Sequence, residues 1–104
     1  MERQLSDIAP AELKERLQQG EDLKLLDVRE QLEYFTYNIG GDNLPLGNLL
    51  RDIDDLEYSR DEEIVVICQR GIRSETACKQ LSLAGFTKVR NLTGGLLAYR
   101  RIVE

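Results

Sequence analysis

Four consecutive apolar, β-favouring residues, Ile64, Val65, Val66 and Ile67, run directly into Cys68-Gln69-Arg70-Gly71-Ile72-Arg73, and beyond that stretch Ala77, Leu81 and Ala84 recur at helical spacing until Gly85. An unbroken apolar run predicts a strand buried on both faces; the spacing after it predicts a helix opening at Ser74, with Ser74 as its N-cap. The alternation repeats along the chain. Residues 6–13 read as the start of a helix, with Pro10 in the first turn, Leu13 and Leu17 on one face and Gly20 as the stop. Residues 23–28 predict a short apolar strand ending at Asp27 or Val28. Residues 31–37 predict a short helix with Leu32 and Phe35 turned inward, ended by the turn-rich Asn38-Ile39-Gly40-Gly41-Asp42-Asn43. Leu44-Pro45-Leu46 reads as extended, because proline restricts the residue before it. Leu49, Ile53 and Leu56 predict one amphipathic helix over 47–57. Residues 88–91 predict a last short strand, and a final helix begins near Gly94-Gly95. The pattern predicts an α/β fold: one domain over residues 1–104, with a mostly parallel sheet of about five short strands and helices on both faces. Open sheets of this kind build their sites at the C-terminal ends of the strands, where Asp27 and Cys68 both fall.

Composition narrows the chemistry. Histidine is absent, which removes imidazole-assisted cysteine or serine nucleophiles and histidine-containing zinc sites. The two cysteines, Cys68 and Cys78, are too few for a structural zinc site; on a shared loop and helix they would lie about 15 Å apart, too far for a disulfide. A reduced, cytoplasmic chain with one working thiol and no metal or cofactor is the expectation. No run of about 20 apolar residues is present, so a membrane span is not expected. Residues 1–63 carry 7 basic and 17 acidic side chains, whereas residues 64–104 carry 7 and 2. The Cys68 stretch opens the basic part, as a site for a small anion or an acidic partner requires. An acidic chain without a dense basic run gives no case for nucleic-acid binding.

A strand-to-helix turn aims backbone N–H groups and the positive end of a helix dipole at one point, and Arg70 and Arg73 add full charges. A cysteine thiol in that position is expected to ionise readily, and the thiolate is its reactive form. Cys68 is therefore the candidate nucleophile, with activation by electrostatics alone.

The ordered segments Leu26-Asp27-Val28-Arg29-Glu30, Glu33-Tyr34, Asn43-Leu44-Pro45-Leu46, Ile67-Cys68-Gln69-Arg70-Gly71-Ile72-Arg73-Ser74, Ala84-Gly85-Phe86 and Leu92-Thr93-Gly94-Gly95 resemble the signatures of a rhodanese domain over residues 8–101. The Asn-Ile-Gly-Gly version of the segment at 38–41 is similar to rhodanese domains fused behind adenylating enzymes of the molybdopterin and thiamine sulfur pathways. The resemblance implies a sulfurtransferase that carries sulfane sulfur as a persulfide on Cys68. The sulfur would come from a small anionic donor such as thiosulfate or from a protein persulfide, and pass to a thiol or other nucleophile, with a protein as possible donor or acceptor. Gln69, Arg70, Gly71, Ile72 and Arg73 would form the substrate-binding loop, with Gly71 letting it bend close to the sulfur. Asp27 and Arg29 read as an ion pair or capping network at the strand end, with Glu33 as support of the same kind. Arg73 either touches the donor or braces the loop through carbonyl groups. Cys78 reads as a small buried residue, and Gly94-Gly95 as a tight turn.

Two other readings compete. A thiolate phosphatase or arsenate reductase also uses an amide-lined loop, but spaces its cysteine and arginine by five residues, against four between Cys68 and Arg73. A rhodanese-like binding module without catalysis is the other, and modules of that kind usually lack the loop cysteine.

Overall fold

A computed structural model describes residues 6–104. Five strands form one all-parallel sheet: β1 (Ser6–Ile8), β2 (Lys24–Asp27), β3 (Asp42–Asn43), β4 (Ile64–Ile67) and β5 (Val89–Leu92), in the order β1-β5-β4-β2-β3. The helices are α1 (Pro10–Gln18), α2 (Gln31–Thr36), α3 (Leu49–Asp52), α4 (Ile72–Leu83) and α5 (Gly95–Val103).

The period of two along each strand divides the core between the two faces. Leu25, Val65, Ile67 and Leu92 turn to one face, where they meet Leu13 of α1 and Leu96 and Tyr99 of α5. Leu26, Ile64 and Val66 turn to the other and pack with Leu49, Ala77, Cys78, Leu81 and Phe86. All four residues of β4 are buried, as the unbroken apolar run predicts. Among the described residues, no helix is long and apolar enough to cross a membrane.

The differences from the sequence reading have identifiable causes. Ser6–Ile8 is a strand, not the start of a helix: it pairs in parallel with the open edge of β5, and the helix begins only at Pro10. Edge pairing of three residues leaves no periodic signal. The predicted helix over 47–57 is broken into a 3-10 turn (Leu46–Asn48), α3 and a second 3-10 turn (Ile53–Asp55). Asn48 (φ −111°, ψ 2°) and Asp52 (φ −112°, ψ 1°) leave helical geometry at the two joints, while Leu49 and Ile53 still reach the core. The extended segment is Asp42–Asn43, just before Leu44, and β5 is set one residue later than predicted.

On α2, Leu32 and Phe35 are 78% and 70% exposed instead of inward. The helix is held by polar ties: the Tyr34 hydroxyl donates to the Gly41 carbonyl at 2.7 Å, and Glu33 bonds to Arg73. A six-residue helix anchored in this way has no need of an apolar inner face.

Candidate active site

Cys68 follows the last residue of β4, the central strand of the sheet, and the chain turns at Gly71 into α4. Gly71 lies at φ +91°, a left-handed conformation that glycine adopts without strain, and it forms the N-cap of α4. Ser74 is thus not the cap: it sits inside the first turn, because the left-handed glycine lets the helix start at Ile72. The turn brings two backbone N–H groups onto the sulfur, from Gly71 at 3.0 Å and from Ser74 at 3.3 Å. The Ser74 hydroxyl lies 3.2 Å from the same atom. Cys68 is 1% exposed and lines a pocket of about 200 Å³ together with Gln69, Arg70, Ile72 and Arg73. Four of the five predicted loop residues thus line it, and Gly71 instead faces the sulfur through its backbone N–H.

The loop is braced from behind by α5. The N–H groups of Leu96 and Leu97 donate to the carbonyls of Cys68 and Gln69 at 2.9 and 3.0 Å. Backbone contact here requires glycine. A Cβ on Gly95, whose φ is +64°, would collide with the Gln69 carbonyl, and one on Gly71 would lie 3.0 Å from the Gly94 nitrogen. The Gly94-Gly95 turn therefore supports the cysteine loop. Asn91, at the end of β5, completes the brace: its Nδ2 donates to the Gly71 carbonyl at 3.2 Å and its Oδ1 accepts from the Ser74 hydroxyl. Sequence reasoning did not pick out Asn91, Leu96 or Leu97. Their only signal was that the Gly-Gly turn and the cysteine loop both fall at strand ends.

Asp27 and Arg29 form the strand-end network expected of them. Arg29 Nε and Nη2 bond to the Asp27 carboxylate at 3.0 and 2.8 Å, and Nη2 also donates to the Tyr37 carbonyl at 2.6 Å. Both are buried, and the pairing and hydrogen bonds are what make that burial tolerable. Neither lines the Cys68 pocket. Arg73 does not bond to loop carbonyls: while part of its side chain lines the Cys68 pocket, its two terminal nitrogens bond to the two oxygens of Glu33 at 2.7 and 2.9 Å. That guanidinium holds the Glu33 carboxyl down at about 2, with further help from the Glu30 backbone N–H. Arg70 is exposed, and among the described residues its guanidinium has no ion-pair partner. Cys78 is fully buried, and burial pushes its thiol up to about 12, so it stays protonated at neutral pH.

The arrangement stabilises negative charge on sulfur without a base. It has two amide donors, the N-terminus of α4 and, at the pocket wall, Arg70, which has no ion-pair partner among the described residues. Among the described residues no group of acidic, cysteine or histidine side chains is placed to hold a metal ion.

The family model for the rhodanese-like domain matches residues 9–101. A protein from Allochromatium vinosum named sulfurtransferase is 34% identical over 97 residues, covering 93% of this chain and 90% of that one. The adenylyltransferase and sulfurtransferase MOCS3-1 of Zea mays is 35% identical over 99 residues, covering 89% of this chain but 21% of that protein. The solution NMR structure of a rhodanese-like domain from Anabaena superposes with a TM-score of 0.84 at 30% identity, over 98% of this chain and 76% of that one.

Proposed function

This chain belongs to the rhodanese-like domain family, and from that premise we propose that it is a sulfurtransferase carrying one sulfane sulfur as a persulfide on Cys68. The observation that carries the reading is the pair of backbone N–H groups, from Gly71 and Ser74, directed at Cys68 Sγ at 3.0 and 3.3 Å. They stabilise an anion at that atom and need no general base.

In the first step the Cys68 thiolate attacks the outer sulfur of an anionic donor such as thiosulfate. A new S–S bond forms as the donor's S–S bond breaks, and its electron pair leaves with sulfite. In the second step an acceptor thiolate attacks the terminal persulfide sulfur, and the electron pair of that S–S bond returns to Cys68. No external oxidant or reductant enters, and one hard transfer becomes two easier displacements. A pocket of about 200 Å³ suits a small anion, with Arg70 as the cation free to meet it. The similarity to a domain of MOCS3-1 supports a protein as a second kind of donor or acceptor.

Steady-state kinetics test the scheme. Thiosulfate and a thiol acceptor are expected to give parallel double-reciprocal lines, and one equivalent of sulfite should appear before any acceptor is added. Intersecting lines with no sulfite burst contradict it.

A further inference from the structure

Ser74 has one hydroxyl proton and two neighbours able to take it. Its Oγ lies 3.2 Å from Cys68 Sγ and is also bonded to Asn91 Oδ1. The Asn91 amide is fixed in orientation, because its Nδ2 faces the Gly71 carbonyl at 3.2 Å, which can only accept. The atom facing Ser74 is therefore Oδ1, which can only accept as well. Ser74 gives its proton to Asn91, and a lone pair of Ser74 is left toward the sulfur. That geometry suits a neutral Cys68, whose S–H donates to Ser74 Oγ. It opposes a thiolate, which would meet a lone pair instead of a proton. All three side chains are buried.

We infer that the Ser74 hydroxyl is a two-position switch and that Asn91 is a positioning residue acting on Cys68 through it. When Cys68 ionises, the S–H bond breaks, the proton goes to solvent and the electron pair stays on Sγ. The Ser74 O–H then rotates from Asn91 Oδ1 to Sγ, exchanging a neutral hydrogen bond for a charge-assisted one. Asn91 Oδ1 is left without that partner, so the gain at sulfur is partly offset. Once sulfur is loaded, a step that rests on the function proposed above, the charge moves one atom outward. Sγ becomes neutral, and the hydroxyl returns to Asn91. Asn91 thus keeps the empty thiolate from being held too tightly, which preserves its nucleophilicity, since strongly stabilised thiolates attack more slowly.

The other charged groups around Cys68 are constant across the variants that test this. Arg70 and Arg73 line its pocket, and Arg73 is paired with Glu33. Asp27, on the adjacent strand β2, is paired with Arg29. Cys78 on α4 stays protonated. From α5 the loop meets backbone N–H groups of the uncharged Leu96 and Leu97.

The test is the pH profile of iodoacetamide alkylation at Cys68 in the full chain, for wild type, Asn91→Leu, Ser74→Ala and the double variant. It needs no sulfur donor, so its failure is distinct from failure of the sulfur-transfer reading. Asn91→Leu, which keeps the branch at Cγ and removes both polar atoms, frees the Ser74 proton for sulfur and is expected to lower the midpoint by about half a unit to one unit. In the Ser74→Ala background the same substitution is expected to give no downward shift. An equal downward shift in both backgrounds, or none in either, overturns the inference. If circular dichroism shows Asn91→Leu unfolded, Asn91→Ala takes its place in the same comparison.

Discussion

Arg73 and Glu33, forty positions apart, face each other in a two-point ion pair at 2.7 and 2.9 Å that ties α2 to the first turn of α4. The pair occupies one of the two loop arginines. Among the described residues Arg70 has no such partner, and under the proposed function Arg70 accordingly takes the binding role and Arg73 the structural one.

Arg70→Ala is therefore expected to raise KM for thiosulfate about tenfold or more, the loss of one charge-assisted contact, with little loss of thermal stability. Arg73→Ala is expected to lower Tm, because it also leaves Glu33 unpaired. Steady-state kinetics and thermal melts on the two variants check this. Equal KM effects with unchanged Tm would show that both arginines meet the donor.

Stability is expected to fall in acid through two carboxylates. Glu33 is held down at about 2 by Arg73, and Glu63 at about 2, first by Arg16 and then by Arg90. Their usual value is 4.5. A carboxyl depressed in the folded state contributes stability that is complete above its unfolded value and is lost as pH falls through the folded one. The loss therefore runs from about pH 5 to about pH 2. Both pairs are partly exposed, so solvent screening leaves about 1 kcal/mol each. Urea unfolding of Glu63→Gln across that range should show a shallower slope than wild type; parallel curves would remove Glu63 from the account.

Gly95→Ala is expected to disrupt the site without touching a reacting atom. The added methyl collides with the Gln69 carbonyl at a residue with φ +64°, and the loop or the start of α5 must move. A loss of about 1–3 kcal/mol in stability is expected, with a fall in kcat beyond tenfold, since the amides aimed at Cys68 shift with the loop. Gly20→Ala is the control for the positive φ alone: Gly20 lies at φ +81° with nothing within 4 Å of an added Cβ. If both variants keep full activity, the backbone contact at Gly95 does not position the site.

What the sequence made legible follows from how local each signal is. The buried run Ile64–Ile67, the glycine after the cysteine and the helical spacing through Leu81 all lie within one strand-loop-helix unit, so the cysteine and its amide cradle could be read directly. Asp27 and Arg29 are two positions apart, and their pairing was equally local. The partner of Arg73 was not local, and only the fold brings Glu33 to it. Asn91 carries no chemistry of its own in sequence and gains its role because β5 lies beside β4, with Val66 opposite Asn91. The outward Leu32 and Phe35 mark the opposite failure: two apolar residues at helical spacing indicate an amphipathic helix, but not that polar ties hold it to the body.

Intact mass of the protein after incubation with thiosulfate tests the central claim most directly. The account predicts a gain of one sulfur atom that is reversed by a thiol acceptor, absent in Cys68→Ser and retained in Cys78→Ala. An unchanged wild-type mass across thiosulfate and other sulfane donors, or a gain that survives Cys68→Ser, would contradict it.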